Sequence, residues 1–271
     1  MSVVNSIKPV TVPAIIRMKE QGQKITMLTA YDALMAQILD ESGIDIILVG
    51  DSGGMVVGGH ENTLAVTMDE MLFYAKAVRR GVKRALVAVD MPFMSYQVSI
   101  SEAIKNAGRF LQEAGAEAVK LEGGKAIAET VHSLVKLGIP VIAHLGLTPQ
   151  SIHQLGGYMV QGTKKEIAQQ IKEDAGLLQE AGAFAIVLEK IPSAVAQEIS
   201  QSLRIPTIGI GAGKHCDGQV LVSHDLLGLY ERFKPKFVRR YAEMGKEMKE
   251  AFRQYIRDVQ SGEFPGEDES Y

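Results

Sequence analysis

The sequence predicts a (β/α)8 barrel, in which eight parallel strands close into a ring surrounded by helices. Several of eight short apolar runs end in a polar or charged residue followed by glycine or proline, and most precede a segment with helical periodicity. The chain has 271 residues, which suits one barrel, and no linker or change in composition favours an open doubly wound sheet with a second domain. We therefore expect a single domain over residues 1–271, with a short N-terminal extension and a mobile acidic tail at residues 262–271.

The individual elements follow from local patterns along the chain. The candidate strands are residues 25–29, 45–49, 86–89, 118–121, 141–143, 185–188, 207–210 and 219–222. Residues 67–70 and 99–102 each pair a hydroxyl residue with a glutamate three positions later, which is the capping box of a helix start. These two boxes predict helices over residues 67–80 and 101–114.

A long apolar stripe marks the last helical segment, over residues 235–259. Basic and acidic residues lie opposite the stripe, as in an amphipathic helix. One interpretation is the last barrel helix packed on the sheet, and the other is a contact between subunits. The stripe consists of Phe237, Tyr241, Met244, Met248, Phe252, Tyr255 and Ile256.

The composition excludes several classes of partner and compartment. Hydrophobic residues make up 46% of the chain and charged residues 23%, which is typical of a folded globular protein. With 29 basic against 32 acidic residues the net charge is −3, so we expect neither nucleic acid nor an anionic membrane as a partner. The single cysteine, Cys216, excludes an intrachain disulfide and predicts a cytoplasmic protein. No apolar run has the length of a signal peptide or a membrane span.

Acidic side chains gather at the ends of the predicted strands. The carboxyl ends of the strands of a barrel meet at one rim, where catalytic groups lie. Four carboxylates at one rim repel one another unless a cation neutralises them, and oxygen donors are the ligands that Mg²⁺ prefers. A single such residue would instead be explained as a helix cap or a surface ion pair. The four residues are Asp51, Asp90, Glu122 and Glu189.

Two basic side chains join this group. Lys120 lies two positions before Glu122 on the fourth strand, so both side chains point to the mouth of the barrel. Lys120 is a candidate to bind a carboxylate of a substrate or to act as a counter-ion for the acids. His144 ends the fifth strand and is either a substrate contact or a buried histidine bonded to the backbone.

Two further features give weaker predictions. Residues 209–213 form a glycine-rich turn that either binds an anion at the rim or only allows a close approach of the backbone. Cys216 follows His215, but neighbours in sequence do not thereby form a reactive pair, so we do not expect a nucleophilic thiolate.

These residues lie in motifs that resemble the ketopantoate hydroxymethyltransferase family over nearly the whole chain. One departure is Gly53, where the family commonly has a leucine; it removes no functional group. The motifs are TAYD at 29–32, LVGDS at 48–52, VRRG at 78–81, DMPFM at 90–94, VKLEGG at 119–124, AHLGLTPQ at 143–150, GGY at 156–158, VQG at 160–162, IGIGAG at 208–213 and DGQ at 217–219.

The resemblance implies a (β/α)8 TIM barrel of the phosphoenolpyruvate/pyruvate type with Mg²⁺ near Asp51, Asp90 and Glu122. It implies substrate binding by Asp51, Ser52, Asp90, Lys120 and His144, and Glu189 as the catalytic proton acceptor. The implied reaction transfers a hydroxymethyl group from 5,10-methylenetetrahydrofolate to 3-methyl-2-oxobutanoate and gives 2-dehydropantoate, through a Mg²⁺-stabilised enolate. The implied partners are a small 2-oxo acid, a folate and further copies of the chain in a homodecamer.

Two other functions are compatible with the same pattern. Another Mg²⁺-dependent barrel enzyme of 2-oxo acids, a carbon–carbon lyase or a phosphonate mutase, would reuse the acids with a different base. Such enzymes often carry a reactive cysteine in a mobile loop. A barrel that only binds or acts as a scaffold would have no reason to keep four mutually repelling acids at one rim.

Overall fold

The structure is a computed structural model that describes residues 8–230 and 235–271. It divides into two compact units, one that ends at Leu221 and one that runs from Val222 to Tyr271, and each is described by itself. The predicted single domain over residues 1–271 stays a prediction. Among the described residues, no helix is both long and apolar enough to cross a membrane.

The first unit is a closed barrel of parallel strands, as the sequence predicts. Each strand pairs with its neighbours in chain order, and β1 pairs with β8 to close the ring. The four strands β3 to β6 run one to three residues further than predicted, because polar residues at their ends continue the ladder. Within the described residues the strands are β1 Ile25–Thr29, β2 Ile46–Val49, β3 Leu86–Asp90, β4 Ala118–Glu122, β5 Val141–Gly146, β6 Ala185–Glu189, β7 Thr207–Ile210 and β8 Gly218–Leu221.

Helices alternate with these strands and surround the barrel. The helices of the first unit are α1 Val12–Glu20, α2 Ala33–Glu41, α3 Gly53–Val56, α4 Met68–Gly81, α5 Ile100–Ala114, α6 Ala128–Lys136, α7 Ile152–Leu155, α8 Lys165–Glu180 and α9 Ser193–Ser202. Both helices predicted from capping boxes are confirmed as α4 and α5. Thr67 and Glu70 exchange hydrogen bonds at the start of α4, whereas at α5 the amide of Glu102 donates to Ser99 Oγ (3.1 Å).

Two apolar layers make up the core of the barrel unit. One layer lies between the strands and the surrounding helices, and the other fills the inside of the barrel. Helix α1 contributes the fully buried Ile15 to the inner layer, beside Ile25, Met27 and Ile142. Because α1 precedes β1, this packing closes the amino-terminal end of the barrel. The buried polar side chains of β3, β4 and β5 lie at the opposite end of these strands.

The second unit contains α10, Ser223–Leu226, and α11, Met244–Ser261. Helix α11 begins nine residues later than the predicted segment at 235–259, and none of its residues is buried. Phe252 and Tyr255 in the apolar stripe expose 59% and 58% of their surface. Both interpretations of this stripe, a helix face packed on the sheet and a contact between subunits, stay predictions. A 3-10 helix at Glu267–Glu269 follows in the acidic tail, whose mobility is also still a prediction.

We expect Thr67→Ala to lower the free energy of unfolding by about 1 kcal/mol, because it deletes the hydroxyl that accepts from the amide of Glu70. Thr67→Ser keeps that oxygen and should match the unsubstituted protein. Urea denaturation of the two variants measures the difference. Equal stabilities would show that the capping box contributes nothing to this helix.

Candidate active site

Neighbouring strands bring the predicted acidic and basic side chains together at the carboxyl end of the barrel. The strand register pairs Asp90 with Lys120, and Glu122 with His144. Glu189 ends β6 beside Gly146 of β5. Residues paired in register on adjacent strands point their side chains to the same face of the sheet. The parallel pairing of the strands therefore brings these side chains together.

Lys120 lies at the centre of this group. Its Nζ is 3.1 Å from Asp90 Oδ1, 3.8 Å from Glu122 Oε1 and 3.0 Å from His144 Nδ1. Burial alone would lower the pKa of Lys120, but the negative charges of Asp90, Glu122 and Asp51 raise it above its ordinary value. The lysine is therefore a buried cation between carboxylates.

His144 connects two carboxylates of the site. Its Nδ1 is 3.4 Å from Glu122 Oε1, and its Nε2 is 3.3 Å from Glu189 Oε2. Burial and the charge of Lys120 act to lower the pKa of His144, but its contacts with Glu122 and Glu189 raise it to about 9. The protonated ring donates from Nδ1 to Glu122, and a neutral ring could accept there from Lys120 instead. The raised pKa favours the cationic ring, whereas the 3.0 Å approach of Lys120 Nζ to Nδ1 fits the neutral ring.

Glu122 is fixed from several sides. Its Oε2 accepts a hydrogen bond from the backbone amide of Gln150 (2.9 Å). Burial acts to raise the pKa of Glu122, but the hydrogen bond from His144 and the charges of His144 and Lys120 lower it below its ordinary value. Glu122 is consequently an ionised carboxylate directed toward His144.

Asp51 and Asp90 form the second part of the acidic group. The backbone amide of Asp51 donates to Asp90 Oδ2 at 3.1 Å. Burial and the neighbouring carboxylates raise the pKa of Asp51, and burial raises the pKa of Asp90. Gly50 leaves space for the Ser52 hydroxyl, since a Cβ at that position would lie only 2.6 Å from Ser52 Oγ. A cation placed here would offset the cost of burying both charges.

Ser52 follows Asp51 and lies at the N-cap position of the short helix α3. Its Oγ is 2.8 Å from Tyr31 Oη, and the side chain is partly exposed. At the next position, a Cβ on Gly53 would lie 2.8 Å from Tyr31 Cδ1. The glycine found here instead of the leucine common in the family therefore lies directly against the Tyr31 ring.

Two buried residues of the site carry no role in the sequence predictions. Gln150 Nε2 donates to Asp51 Oδ2 and to the carbonyl oxygen of Met91, both at 2.9 Å. Tyr96 Oη donates to Gln150 Oε1 at 2.9 Å and accepts from the amide of Glu122 at 3.1 Å. Burial raises the pKa of Tyr96, which keeps its hydroxyl protonated. The only signal in the sequence was the place of Gln150 in the segment that follows a strand end.

The predicted metal site consists of Asp51, Asp90 and Glu122. Among residues 8–230 and 235–271, no three His, Cys, Asp or Glu side chains are arranged to hold a metal ion. Glu122 contacts His144 and the backbone amide of Gln150, and its role as a metal ligand beside Asp51 and Asp90 stays a prediction. Asp90 Oδ1 is buried, and its ion pair with Lys120 falls short of hydrogen-bond geometry. That oxygen is available to a cation.

The charges of the site are unequal. With every carboxylate ionised, the four negative charges outnumber the positive charge of Lys120 even when His144 is protonated. This excess favours a bound cation, and oxygen donors suit a hard ion such as Mg²⁺. Glu189 is the most exposed of the grouped residues, with 15% of its side chain accessible. The arrangement can therefore bind a cation and expose one carboxylate for proton transfer.

Cys216 lies outside this group. It is buried, and burial raises the pKa of its thiol. A buried neutral thiol is a poor nucleophile, in agreement with the expectation from the sequence.

Solved structures with a similar fold were found by structural comparison. Phosphonopyruvate hydrolase, in a complex with oxalate and Mg²⁺, has a TM-score of 0.61 and 13% sequence identity, over 96% of this chain and 93% of that chain. The 2,3-dimethylmalate lyase of the PEP mutase/isocitrate lyase superfamily has a TM-score of 0.60 and 16% identity, over 94% and 89% of the two chains. These likenesses agree with the closed (β/α)8 barrel that the sequence predicts.

Sequence comparison identifies the protein family. The model of the family described as ketopantoate hydroxymethyltransferase matches residues 9–267. The 3-methyl-2-oxobutanoate hydroxymethyltransferase of Syntrophus aciditrophicus is 57% identical over the full length of both chains, and that of Chlorobaculum tepidum is 56% identical over 98% of each. The chain belongs to the ketopantoate hydroxymethyltransferase family and is a transferase enzyme, which confirms the resemblance found in the motifs.

Because Cys216 is buried, we expect a thiol reagent at pH 8 to modify the folded protein at least about tenfold more slowly than the urea-unfolded chain. The chain has one cysteine, so the rate of modification reports that residue alone. Equal rates in the two states would place Cys216 at the surface and favour an enzyme with a reactive cysteine.

Proposed function

We propose that this protein transfers a hydroxymethyl group from 5,10-methylenetetrahydrofolate to 3-methyl-2-oxobutanoate, giving 2-dehydropantoate for pantothenate synthesis. The observation that carries the proposal is the position of Glu189, which is the most exposed carboxylate at the mouth of a buried acidic group. The family to which the chain belongs supports the choice of reaction. Assembly into a decamer and a cytoplasmic location are further expectations from the family.

Mg²⁺ fits the residues present, because Asp90 Oδ1 is buried without a hydrogen bond and the site has an excess of negative charge. Asp51 and Asp90 would hold the ion, and Glu122 would add negative charge beside it. When bound, Mg²⁺ would supply positive charge to the keto and carboxylate oxygens of a 2-oxo acid.

Three side chains would bind and orient the keto acid. Lys120 contributes a buried positive charge for the carboxylate of the acid, and the same charge stays in place throughout the reaction. Ser52 offers a hydroxyl at the edge of the site, supported by Tyr31. His144 lies beside Lys120, with Nδ1 3.0 Å from Nζ, and adds a polar ring to the same side of the site. Lys120 and His144 are both buried, so few waters compete for the bound acid.

Glu189 is the group that accepts the proton from C3 of the keto acid. His144 Nε2 lies 3.3 Å from Glu189 Oε2, close enough to receive a proton relayed from the carboxylate. Removal of the proton leaves an electron pair at C3, which forms the new carbon–carbon bond to the one-carbon unit of the folate. Over the whole reaction both bonds from that carbon to folate nitrogens break, one water molecule supplies the hydroxyl group, and tetrahydrofolate leaves. No nucleophile of the protein takes part, which agrees with the buried state of Cys216.

We expect Asp51→Ala and Asp90→Ala each to weaken Mg²⁺-dependent binding of 3-methyl-2-oxobutanoate by at least about a hundredfold, because each removes a negative oxygen donor. Titration calorimetry with and without Mg²⁺ measures the effect. Asp69→Ala, which changes an exposed acid of α4, is the matched control and should bind normally. Mg²⁺-dependent affinity like that of the unsubstituted protein in either site variant would exclude the proposed ligands.

We expect Glu189→Gln to bind Mg²⁺ and the keto acid nearly normally but to exchange the C3 proton at least about a hundredfold more slowly in D₂O, because the amide keeps the shape and loses the basic oxygen. Proton NMR without any folate follows the exchange. This experiment tests the proposed function directly, since it isolates the first chemical step. Normal exchange in the variant would move the base elsewhere, and His144 would be the next residue to test.

A further inference from the structure

Gln150 connects the two parts of the acidic group. Its backbone amide donates to Glu122 Oε2, and its side-chain Nε2 donates to Asp51 Oδ2, both at 2.9 Å. The same Nε2 donates to the carbonyl oxygen of Met91. The residue is 6% exposed, so water does not compete for these bonds. Gln150, in the segment that follows β5, thus contacts one carboxylate from β4 and another from the turn after β2.

The side-chain amide of Gln150 has only one acceptable orientation. Its Oε1 accepts from Tyr96 Oη at 2.9 Å and from Gln97 Nε2 at 3.2 Å. A flipped amide would place Oε1 against Asp51 Oδ2 and the carbonyl oxygen of Met91, which are both acceptors. Tyr96 is itself fixed, because its hydroxyl also accepts from the amide of Glu122. The donor atom of Gln150 is therefore held toward Asp51.

We propose that Gln150 is a positioning residue that decides which carboxylates meet the cation. Its side chain holds Oδ2 of Asp51, which fixes the orientation of the carboxylate and leaves Oδ1 to face the cation. Its backbone holds Glu122 toward His144 and away from that pair. Two acids then bind the ion and a third stays beside it. The inference rests on the proposed function, because it assumes that this site takes Mg²⁺.

The two bonds of Gln150 can be separated by substitution. Gln150→Met keeps the length of the side chain and the backbone bond to Glu122, but it deletes the donor to Asp51 Oδ2. A hydrogen bond to a charged group contributes enough for its loss to weaken binding by about tenfold to a hundredfold. Gln154→Met changes an exposed glutamine one turn further on and is the matched control.

Titration calorimetry with Mg²⁺ alone tests the inference. We expect the dissociation constant of Gln150→Met to rise by at least about tenfold, and that of Gln154→Met to stay unchanged. Tyr96→Phe, which removes the hydroxyl that orients the amide, should weaken binding in the same direction if Gln150→Met does not fold. A lower number of sites with an unchanged dissociation constant would show a purely structural role and overturn the proposal, as would normal binding.

A crystal structure of metal-free Gln150→Met separates this inference from the proposed function. A rotated Asp51 carboxylate beside an unchanged Glu122 supports the positioning role, even if the unsubstituted protein binds no Mg²⁺ and the proposed function fails. An Asp51 carboxylate in its original orientation overturns the positioning role, whatever the metal binding shows. The Michaelis constant for the keto acid adds a third measurement, which should rise more than turnover falls.

Discussion

The buried ammonium of Lys120 is the interaction on which the site depends. Burying an ion costs several kcal/mol after relaxation, and like charges add repulsion to that cost. Lys120 lies within 4 Å of Asp90 and Glu122, so one cation offsets the burial of two acids. Asp90 accepts a hydrogen bond from the backbone amide of Asp51 on one side of the group. On the other side, His144 lies between Glu122 and Glu189. Loss of this charge would leave its neighbours uncompensated.

Parallel pairing explains how the side chains of β3, β4, β5 and β6 come together, whereas Asp51 lies in the turn after β2. The register sets Asp90 beside Lys120 and Glu122 beside His144, and the backbone ladder holds each pair at a fixed separation. The apolar layer inside the barrel, closed by Ile15 of α1, fills the space below the polar side chains. Rigid strands therefore carry the groups that meet the reactants, which keeps the geometry fixed before anything binds.

The sequence predicts the barrel and most of the site because both follow from short-range periodicity. Strand ends are visible as apolar runs that stop at a polar residue, and alternation along β4 places Lys120 and Glu122 on one face. Gln150 and Tyr96 could not be found this way, since they reach the site through segments whose course depends on tertiary packing. The apolar stripe of α11 shows a related limit of periodicity, which identifies an apolar helix face but does not show what covers it.

Gly146 has a consequence for how mutational surveys of this protein are interpreted. Its φ of +93° is in the region that favours glycine, and a Cβ there would lie 2.2 Å from the carbonyl oxygen of Glu189. Any side chain at this position would push the end of β6 outward. A survey that scores only survival would then rank Gly146 with the acids of the site, although it carries no functional group. Backbone crowding and lost chemistry give the same phenotype here, and only a structure distinguishes them.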